Sequence, residues 1–266
     1  LALESATASS DFSGEARRLG ASTAAMHLAL SERLPVRTPS TGDTVAMVSS
    51  WHTRLATAIH STPALAPYRE AIEAVYDTAQ ESPWPQLQRI HGDLHLGQVL
   101  REPDVGATDR IPGDATIPEG DAVAALGDWK FVDFEGEPLR SLDERNRPDS
   151  ALRDIAGMLR SFDYAAGFSS AGDGTWAAAC RAAYLEGYAE AMAVAAASSG
   201  SSASGDQDSA SHRDPAAFGP LLAALELDKA VYEVTYEARN RPDWVGIPLS
   251  AVARLVSSVV PSAPVA

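Results

Sequence analysis

Apolar residues recur at three- and four-residue steps along most of the chain, which is the spacing of one face of an α-helix. Over residues 13–30, Leu19, Met26 and Ala29 fall on one side of the predicted helix. The same spacing predicts further helices over residues 45–59, 68–80, 152–165, 176–197, 216–237 and 249–260. The pattern therefore predicts a mainly α-helical protein.

Two short segments depart from the helical pattern and are typical of strands. Residues 87–90 form the first segment. Pro83 and Pro85 lie just before it, and a proline favours extended backbone in the residue that precedes it. Residues 128–133 form the second segment, and we expect it to pair with residues 98–100 as a small β-hairpin.

Composition divides the chain further. Residues 1–15 include a run rich in Ala, Ser and Thr and are expected to be poorly ordered, and residues 16–260 are expected to form one folded unit. Within that unit, residues 101–127 are polar and rich in Gly, Asp and Pro, which predicts a long connection or insertion. Residues 198–213 consist largely of small and polar residues and predict a flexible linker.

The charge of the chain excludes some classes of partner. Its 266 residues carry a formal net charge of -15 at pH 7, whereas nucleic acids and anionic membranes require clustered Lys and Arg. The single cysteine, Cys180, allows no intrachain disulfide. No secretory signal or apolar run of the roughly 18 residues that span a membrane is present. We therefore expect a cytoplasmic protein that binds no nucleic acid and no membrane.

Chemistry-bearing residues are concentrated in a glycine-punctuated loop over residues 90–100. A metal site formed by His91, Asp93 and His95 is one interpretation, although the sequence has no further histidine cluster to complete a zinc site. A nucleophilic Ser or Cys is a second, although the chain lacks a G-x-S-x-G motif and Cys180 lies within a predicted helix.

Phosphoryl transfer is the third interpretation, and the spacing favours it. In such sites a loop carboxylate accepts a hydroxyl proton, an amide five residues later binds Mg²⁺, and a carboxylate after a strand binds the same metal. Asp93, Gln98 and Asp133 have this arrangement. Their oxygen atoms are the ligands that Mg²⁺ prefers.

These motifs resemble those of a known family. His91-Gly92-Asp93-Leu94-His95-Leu96-Gly97-Gln98 resembles the catalytic loop of the aminoglycoside phosphotransferase-like and protein-kinase-like superfamily, and Asp133-Phe134-Glu135 resembles its metal-binding triplet. Together with residues 152–164 and 236–244, they resemble the actinobacterial maltokinases. The resemblance covers about residues 16–255, outside the two variable stretches.

The resemblance implies the C-terminal lobe of a protein-kinase-like fold and the ATP- and Mg²⁺-dependent conversion of maltose to maltose 1-phosphate and ADP. That reaction belongs to trehalose and α-glucan metabolism, with trehalose synthase as the pathway partner. The β-rich N-terminal lobe, which clamps ATP, is expected to be absent from this chain, so we expect the chain alone to be inactive. A kinase for another sugar such as glucosamine is the alternative, and a non-catalytic interaction module is the second alternative.

The resemblance also implies residue roles. By motif position Asp93 is the catalytic base, and Gln98 and Asp133 hold Mg²⁺. We expect His91 and Asp154 to brace the loop. Glu135 stands where the superfamily usually has glycine, and it is expected to support the metal ligands or to order its own loop.

The acceptor sugar is expected to bind near residues 228–244, because sugar sites combine aromatic faces with charged groups. The candidate sugar-binding residues are Tyr232, Tyr236, Glu237, Arg241, Trp244 and His27. Glu233 is expected to be exposed and to pair with Lys229 one helical turn away.

Overall fold

A computed structural model describes residue 2 and residues 11–101, 129–136, 142–167, 174–198 and 215–259. The rest of the expected N-terminal segment and almost all of the 101–127 connection and the 198–213 linker lie outside these ranges. The described residues are mainly helical, as predicted.

The helices begin and end close to the predicted residues. They are α1 (Ser13–Arg33), α2 (Thr41–Ser61), α3 (Arg69–Glu81), α4 (Leu142–Arg145), α5 (Leu152–Gly167), α6 (Thr175–Ser198), α7 (Gly219–Asn240) and α8 (Gly246–Val259). Short 3₁₀ turns lie at Pro63–Tyr68, Leu96–Gln98, Pro215–Phe218 and Pro242–Trp244.

Helix α2 begins earlier than expected for a physical reason, and α1 begins where predicted. Helix α2 starts at Thr41 because Ser40 caps it: the Ser40 hydroxyl accepts a hydrogen bond from the Asp43 N–H, and the Asp43 carboxylate accepts one from the Ser40 N–H. Helix α1 starts at Ser13, and Phe12 before it is buried in the core. The packed core thus includes a residue that precedes position 16, where the folded unit was expected to begin.

The predicted hairpin is confirmed. Strand β2 (Val99–Arg101) pairs antiparallel with β3 (Trp129–Phe131), and Leu100 lies opposite Lys130. The strand predicted over residues 87–90 is formed as β1 (Leu87–Gln88), but its antiparallel partner β4 (Asp149–Ser150) was not predicted. Strand β4 has two residues, which is too short for an alternating pattern to be recognised.

The core is built around α5 and α7. Helix α7 packs against α2, α3, α5 and α8, and α1 packs along α6. Phe162 of α5 contacts the rings of Trp176 and Tyr184, both on α6. The buried helix α5 thus gives the loop at residues 90–98 a rigid support. No helix within the described ranges is long and apolar enough to cross a bilayer.

Candidate active site

The loop at residues 90–98 makes a tight approach to the segment that carries Asp133. Gly92 has φ +90°, and a β-carbon added there would lie 3.2 Å from the Gly136 Cα. Because a side chain would be strained by both the backbone angle and the contact, glycine lets the two segments meet.

Asp154, in the first turn of α5, holds the loop from below. Its buried carboxylate accepts hydrogen bonds from the N–H groups of His91 and Gly92, both at 2.8 Å. His27 Nε2 donates to the same carboxylate at 3.0 Å, and His27 Nδ1 contacts the Tyr188 hydroxyl at 3.0 Å. Burial alone would raise the pKa of Asp154, but these hydrogen bonds and the His27 charge lower it.

His91 joins the loop to the segment after β3. Its Nε2 donates to the Val132 carbonyl at 2.8 Å, and its Nδ1 accepts from the Asp93 N–H at 3.4 Å. Its ring contacts Phe134 with centroids 4.6 Å apart. Both ring nitrogens are thus occupied by the backbone.

The three-residue metal site considered from the sequence is not formed. His95 Nδ1 accepts a hydrogen bond from the Gly97 N–H, and burial lowers the pKa of His95. No group of three or more His, Cys, Asp or Glu side chains is assembled for a metal ion within the described residues.

Gln98 and Asp133 do lie together. The Gln98 Nε2 donates to Asp133 Oδ2 at 2.9 Å, so the two side chains are in direct contact. Asp133 has φ +65°, the left-handed region that non-glycine residues rarely adopt. A carboxylate and an amide oxygen fit Mg²⁺, which commonly takes one or two protein ligands and completes its shell with water and phosphate oxygens. Glu135 is exposed, and its carbonyl accepts a bond from Arg145 at 3.5 Å.

Asp93 pairs with Lys229 of α7, whose Nζ lies 3.2 Å from Asp93 Oδ1. The expectation that Glu233 is exposed is wrong, although the Lys229 charge does act on its carboxylate. Glu233 is buried and accepts a hydrogen bond from Arg160 Nε at 2.8 Å. Burial raises the pKa of Glu233, and the Arg160 charge opposes that shift. Lys229 and Glu233 lie one turn apart on α7, and their side chains bond to different residues.

A cleft of about 280 Å³ opens beside Lys229. It is lined by side chains of α5, of α7 with the residue that follows it, and of the loop at residues 90–98: His95, Ser161, Tyr164, Lys229, Tyr232, Glu233, Tyr236, Glu237 and Arg241. Four of the expected sugar-binding residues are therefore brought together, namely Tyr232, Tyr236, Glu237 and Arg241.

Tyr232 and Tyr236 stack with centroids 6.3 Å apart, and both are exposed. The buried Glu237 accepts two bonds from Arg241, at 2.8 and 2.6 Å, and one from the Tyr164 hydroxyl at 3.0 Å. Burial, reinforced by the nearby carboxylates, raises the pKa of Tyr164 well above its usual value.

Two expected sugar-binding residues lie elsewhere. Trp244 does not line the cleft, and the Arg241 guanidinium covers its ring at 4.1 Å from the centroid. His27 is 1% exposed and is enclosed by Tyr188 and Asp154, so it cannot touch a ligand in this cleft. In the sequence, His27 lies next to the apolar face of a predicted helix, which was compatible with a position in the wall of a cleft. In the structure its side chain contacts residues of α5 and α6 instead.

A second cleft of about 520 Å³ shares Lys229 and Tyr232 with the first. Arginines line it, and aspartates pair with them: Arg37 with Asp43, Arg54 with Asp228, and Arg153 with Asp149. Its guanidinium groups are therefore fixed in position and largely compensated in charge.

Sequence reasoning missed three groups that shape the site: Lys229, Arg160 and Ser161. The Ser161 hydroxyl accepts a hydrogen bond from the Leu96 N–H at 2.8 Å. Arg160 and Ser161 belong to the predicted helix 152–165. The charge of Arg160 among apolar positions of that helix was the signal that could have identified it.

Comparisons with known proteins were made for the whole chain, and no protein-family model matches it. A glucosamine kinase of Streptacidiphilus jiangxiensis is 27% identical over 250 residues, which cover 88% of this chain and 47% of that protein. A glucosamine kinase of Mycolicibacterium smegmatis is 29% identical over 195 residues, which cover 71% and 39%. The chain thus spans about half the length of the curated relatives it matches, or less.

Solved structures agree with the sequence relatives. A glucosamine kinase in complex with glucosamine, ADP and inorganic phosphate superposes with a TM-score of 0.70 at 25% identity, over 92% of this chain and 55% of that one. Another crystal form of a glucosamine kinase gives a TM-score of 0.71 at 23% identity and supports the fold alone. In sequence and in fold, this chain is similar to part of the glucosamine kinases.

Proposed function

We propose that this chain carries the phosphoryl-transfer and acceptor sites of an ATP-dependent sugar kinase, with glucosamine as the acceptor. The observation that supports this most directly is that the loop with Asp93 and Gln98 meets Asp133, and that Lys229, which contacts Asp93, lines a cleft with tyrosines and fixed charges. It is the arrangement that phosphoryl transfer to a sugar hydroxyl requires.

In the proposed reaction Asp93 accepts the proton of the acceptor hydroxyl. As that proton leaves, the hydroxyl oxygen forms a bond to the γ-phosphorus of ATP, and the bond from this phosphorus to the β–γ bridging oxygen breaks to release ADP. Asp93, at 23% side-chain exposure, is accessible to an acceptor. A base held in this way contributes on the order of 10²–10⁴-fold to the rate.

Gln98 and Asp133 would hold Mg²⁺ through their side-chain oxygens. When bound, the ion would neutralise phosphate charge. His91 and Asp154 fix the backbone that carries Asp93. In this proposal Glu135 orders the turn after Asp133 through its carbonyl contact with Arg145.

The outer face of the β2–β3 hairpin supports a nucleotide site next to these residues. Leu100 and Val132 are 57% and 37% exposed, whereas Val99 and Trp129 on the other face are buried. The Val132 N–H donates to the Gln98 carbonyl at 3.0 Å, so this apolar surface adjoins the proposed metal ligands. An exposed apolar surface beside phosphate-binding groups suits a nucleotide base.

Glucosamine is favoured over maltose as the acceptor for two reasons. The sequence relatives are glucosamine kinases. In addition, a cleft of about 280 Å³ is at the small end of ligand sites, which suits one sugar ring better than two. Maltose, with its trehalose and α-glucan pathway and trehalose synthase as partner, is thus the less supported acceptor.

An acceptor panel tests this function. The longest gene product that contains this chain is assayed with ATP and Mg²⁺ against glucosamine, glucose and maltose, with detection of the sugar phosphate. We expect glucosamine to have the highest kcat/KM. A preference for maltose would restore the maltokinase assignment, and phosphorylation of no sugar would favour a non-catalytic module.

The Asp93→Asn substitution tests the proposed base. We expect kcat to fall by about 10²–10⁴-fold, because amide nitrogen and oxygen cannot accept the hydroxyl proton. Asp77→Asn is the matched control, since Asp77 is 69% exposed and pairs with His52 on the surface. An Asp93→Asn enzyme with a nearly normal kcat would refute the base assignment.

A further inference from the structure

We propose that Lys229 is a positioning residue for Asp93: it fixes one carboxylate oxygen so that the other faces the acceptor. This inference rests on the proposed function, in which Asp93 is the base.

Lys229 is the cation that contacts Asp93. Its Nζ lies 3.2 Å from Asp93 Oδ1, and its side chain is 18% exposed, so solvent screens the pair only in part. The two residues are 136 positions apart and meet because α7 packs against α5 beneath the loop. The contact is therefore a product of the fold rather than of local sequence.

The path of the Lys229 side chain is also built into α5. A β-carbon at Gly157 would lie 2.5 Å from the Leu94 carbonyl and 4.0 Å from Lys229 Cε. Glycine at position 157 thus leaves room for both the loop backbone and the aliphatic part of the Lys229 side chain to pack against α5. The packing orients Lys229 toward the loop that carries Asp93.

Orientation of Asp93 is the step that Lys229 would control. A carboxylate can rotate about two side-chain bonds, whereas proton transfer requires a lone pair at hydrogen-bonding distance from one particular hydroxyl. With Oδ1 held by Lys229, Oδ2 is the oxygen left to accept the acceptor proton. Loss of such alignment by about 1 Å can cost on the order of 10²-fold in rate.

Substitutions of Lys229 test the proposal. In the longest gene product, we expect Lys229→Met to lower kcat for glucosamine by roughly 10- to 100-fold. Lys229→Arg should recover most of the loss, because a guanidinium can also donate to Asp93. Arg239→Met removes one positive charge from the same helix at an exposed position and should leave kcat unchanged.

Calorimetry of glucosamine binding to this chain separates positioning from sugar binding. If Lys229 acts through Asp93, Lys229→Met should change Kd by less than about twofold while kcat falls. A parallel loss of binding with an unchanged kcat would overturn the proposal, since Lys229 would then be a sugar-binding group.

A crystal structure of the Lys229→Met chain decides the matter even if the wild-type protein phosphorylates no sugar, in which case the proposed function has failed by itself. We expect the Asp93 carboxylate to rotate away from its wild-type position. An unchanged Asp93 side chain would show that Lys229 does not position it.

Discussion

At the scale of residues, the contact between Leu94 and Gly157 determines where the loop at residues 90–98 lies. The Leu94 carbonyl rests on α5 at Gly157, where an added β-carbon would lie 2.5 Å from the carbonyl oxygen. Neither group can give way easily, because one is backbone and the other belongs to a buried helix. Gly157 therefore sets the height of the loop above α5.

Replacing Gly157 by alanine should displace the loop. We expect Gly157→Ala to lower the free energy of unfolding by about 1–3 kcal/mol, the usual cost of overpacking, and to lower kcat with it. Gly14→Ala is the control: it adds the same methyl group in α1, where no atom lies within 4 Å, and it should stabilise the helix by up to about 1 kcal/mol. Urea unfolding and the kinase assay measure both effects.

At this scale the sequence could suggest residues that lie within short motifs. Asp93, Gln98 and Asp133 could be proposed as site residues because their chemistry follows from local spacing, and the structure brings Gln98 and Asp133 into contact. The partner of Lys229 could not, because Glu233 one turn away was the plausible local partner and Asp93 lies 136 positions away. His27 was misplaced for the same reason, since its partners come from α5 and α6.

At the scale of elements, the first turn of helix α5 connects the helix to its neighbours. Asp154 accepts two loop N–H groups and the His27 ring N–H while fully buried. A carboxylate in this position joins three segments of the chain: α1, the loop and α5.

Removing the Asp154 charge should destabilise the protein at neutral pH. We expect Asp154→Asn to lower the free energy of unfolding by about 3 kcal/mol, because the buried network loses its charge and one of its two acceptor oxygens. Asp77→Asn, at an exposed pair, should cost at most about 1 kcal/mol. Equal effects of the two substitutions would contradict the role of Asp154.

The same variant makes a prediction about pH. The folded-state pKa of Asp154 lies below its usual value, so its stabilisation is complete above the unfolded pKa of about 3.9 and is lost as the pH falls toward the folded value. The stability difference between wild type and Asp154→Asn should therefore narrow below about pH 4. A constant difference between pH 7 and pH 3 in urea unfolding would refute this.

The elements themselves were predicted to different degrees. Long helices such as α5 and α7 repeat their apolar spacing over several turns, so their existence and approximate ends were clear. Strand β1 was expected from the prolines before it, whereas β4 was missed because two residues carry no period, and its pairing depends on α5 bringing Ser150 back to Leu87.

For the molecule as a whole, the acidic composition argued against nucleic-acid and membrane partners, but the shape of the proposed acceptor cleft was not available from it. The cleft combines side chains of α5 and α7, which are distant in sequence, and its volume depends on how these helices pack. The acceptor was accordingly expected to be maltose, whereas the relatives and the cleft volume favour glucosamine.

The single cysteine offers a test of the folded core. Cys180 is 1% exposed, and burial, with a smaller contribution from Asp11, raises the pKa of its thiol to about 12. Because the thiolate is the reactive form, alkylation by iodoacetamide at pH 8 should be very slow in the folded protein and rapid in urea. Mass spectrometry counts the single modification, and fast labelling without denaturant would show that α6 is not packed as described.

The left-handed backbone of Asp133 has a consequence for selection. At φ +65° an aspartate is less favourable than glycine, so a sequence selected for stability alone would carry glycine there. We expect Asp133→Gly to be more stable than Asp133→Ala by about 1 kcal/mol, although both should lose Mg²⁺-dependent activity. An ancestral or engineered variant that has glycine at position 133 should thus be more stable but inactive. The residue at this position is therefore a marker for inactive relatives.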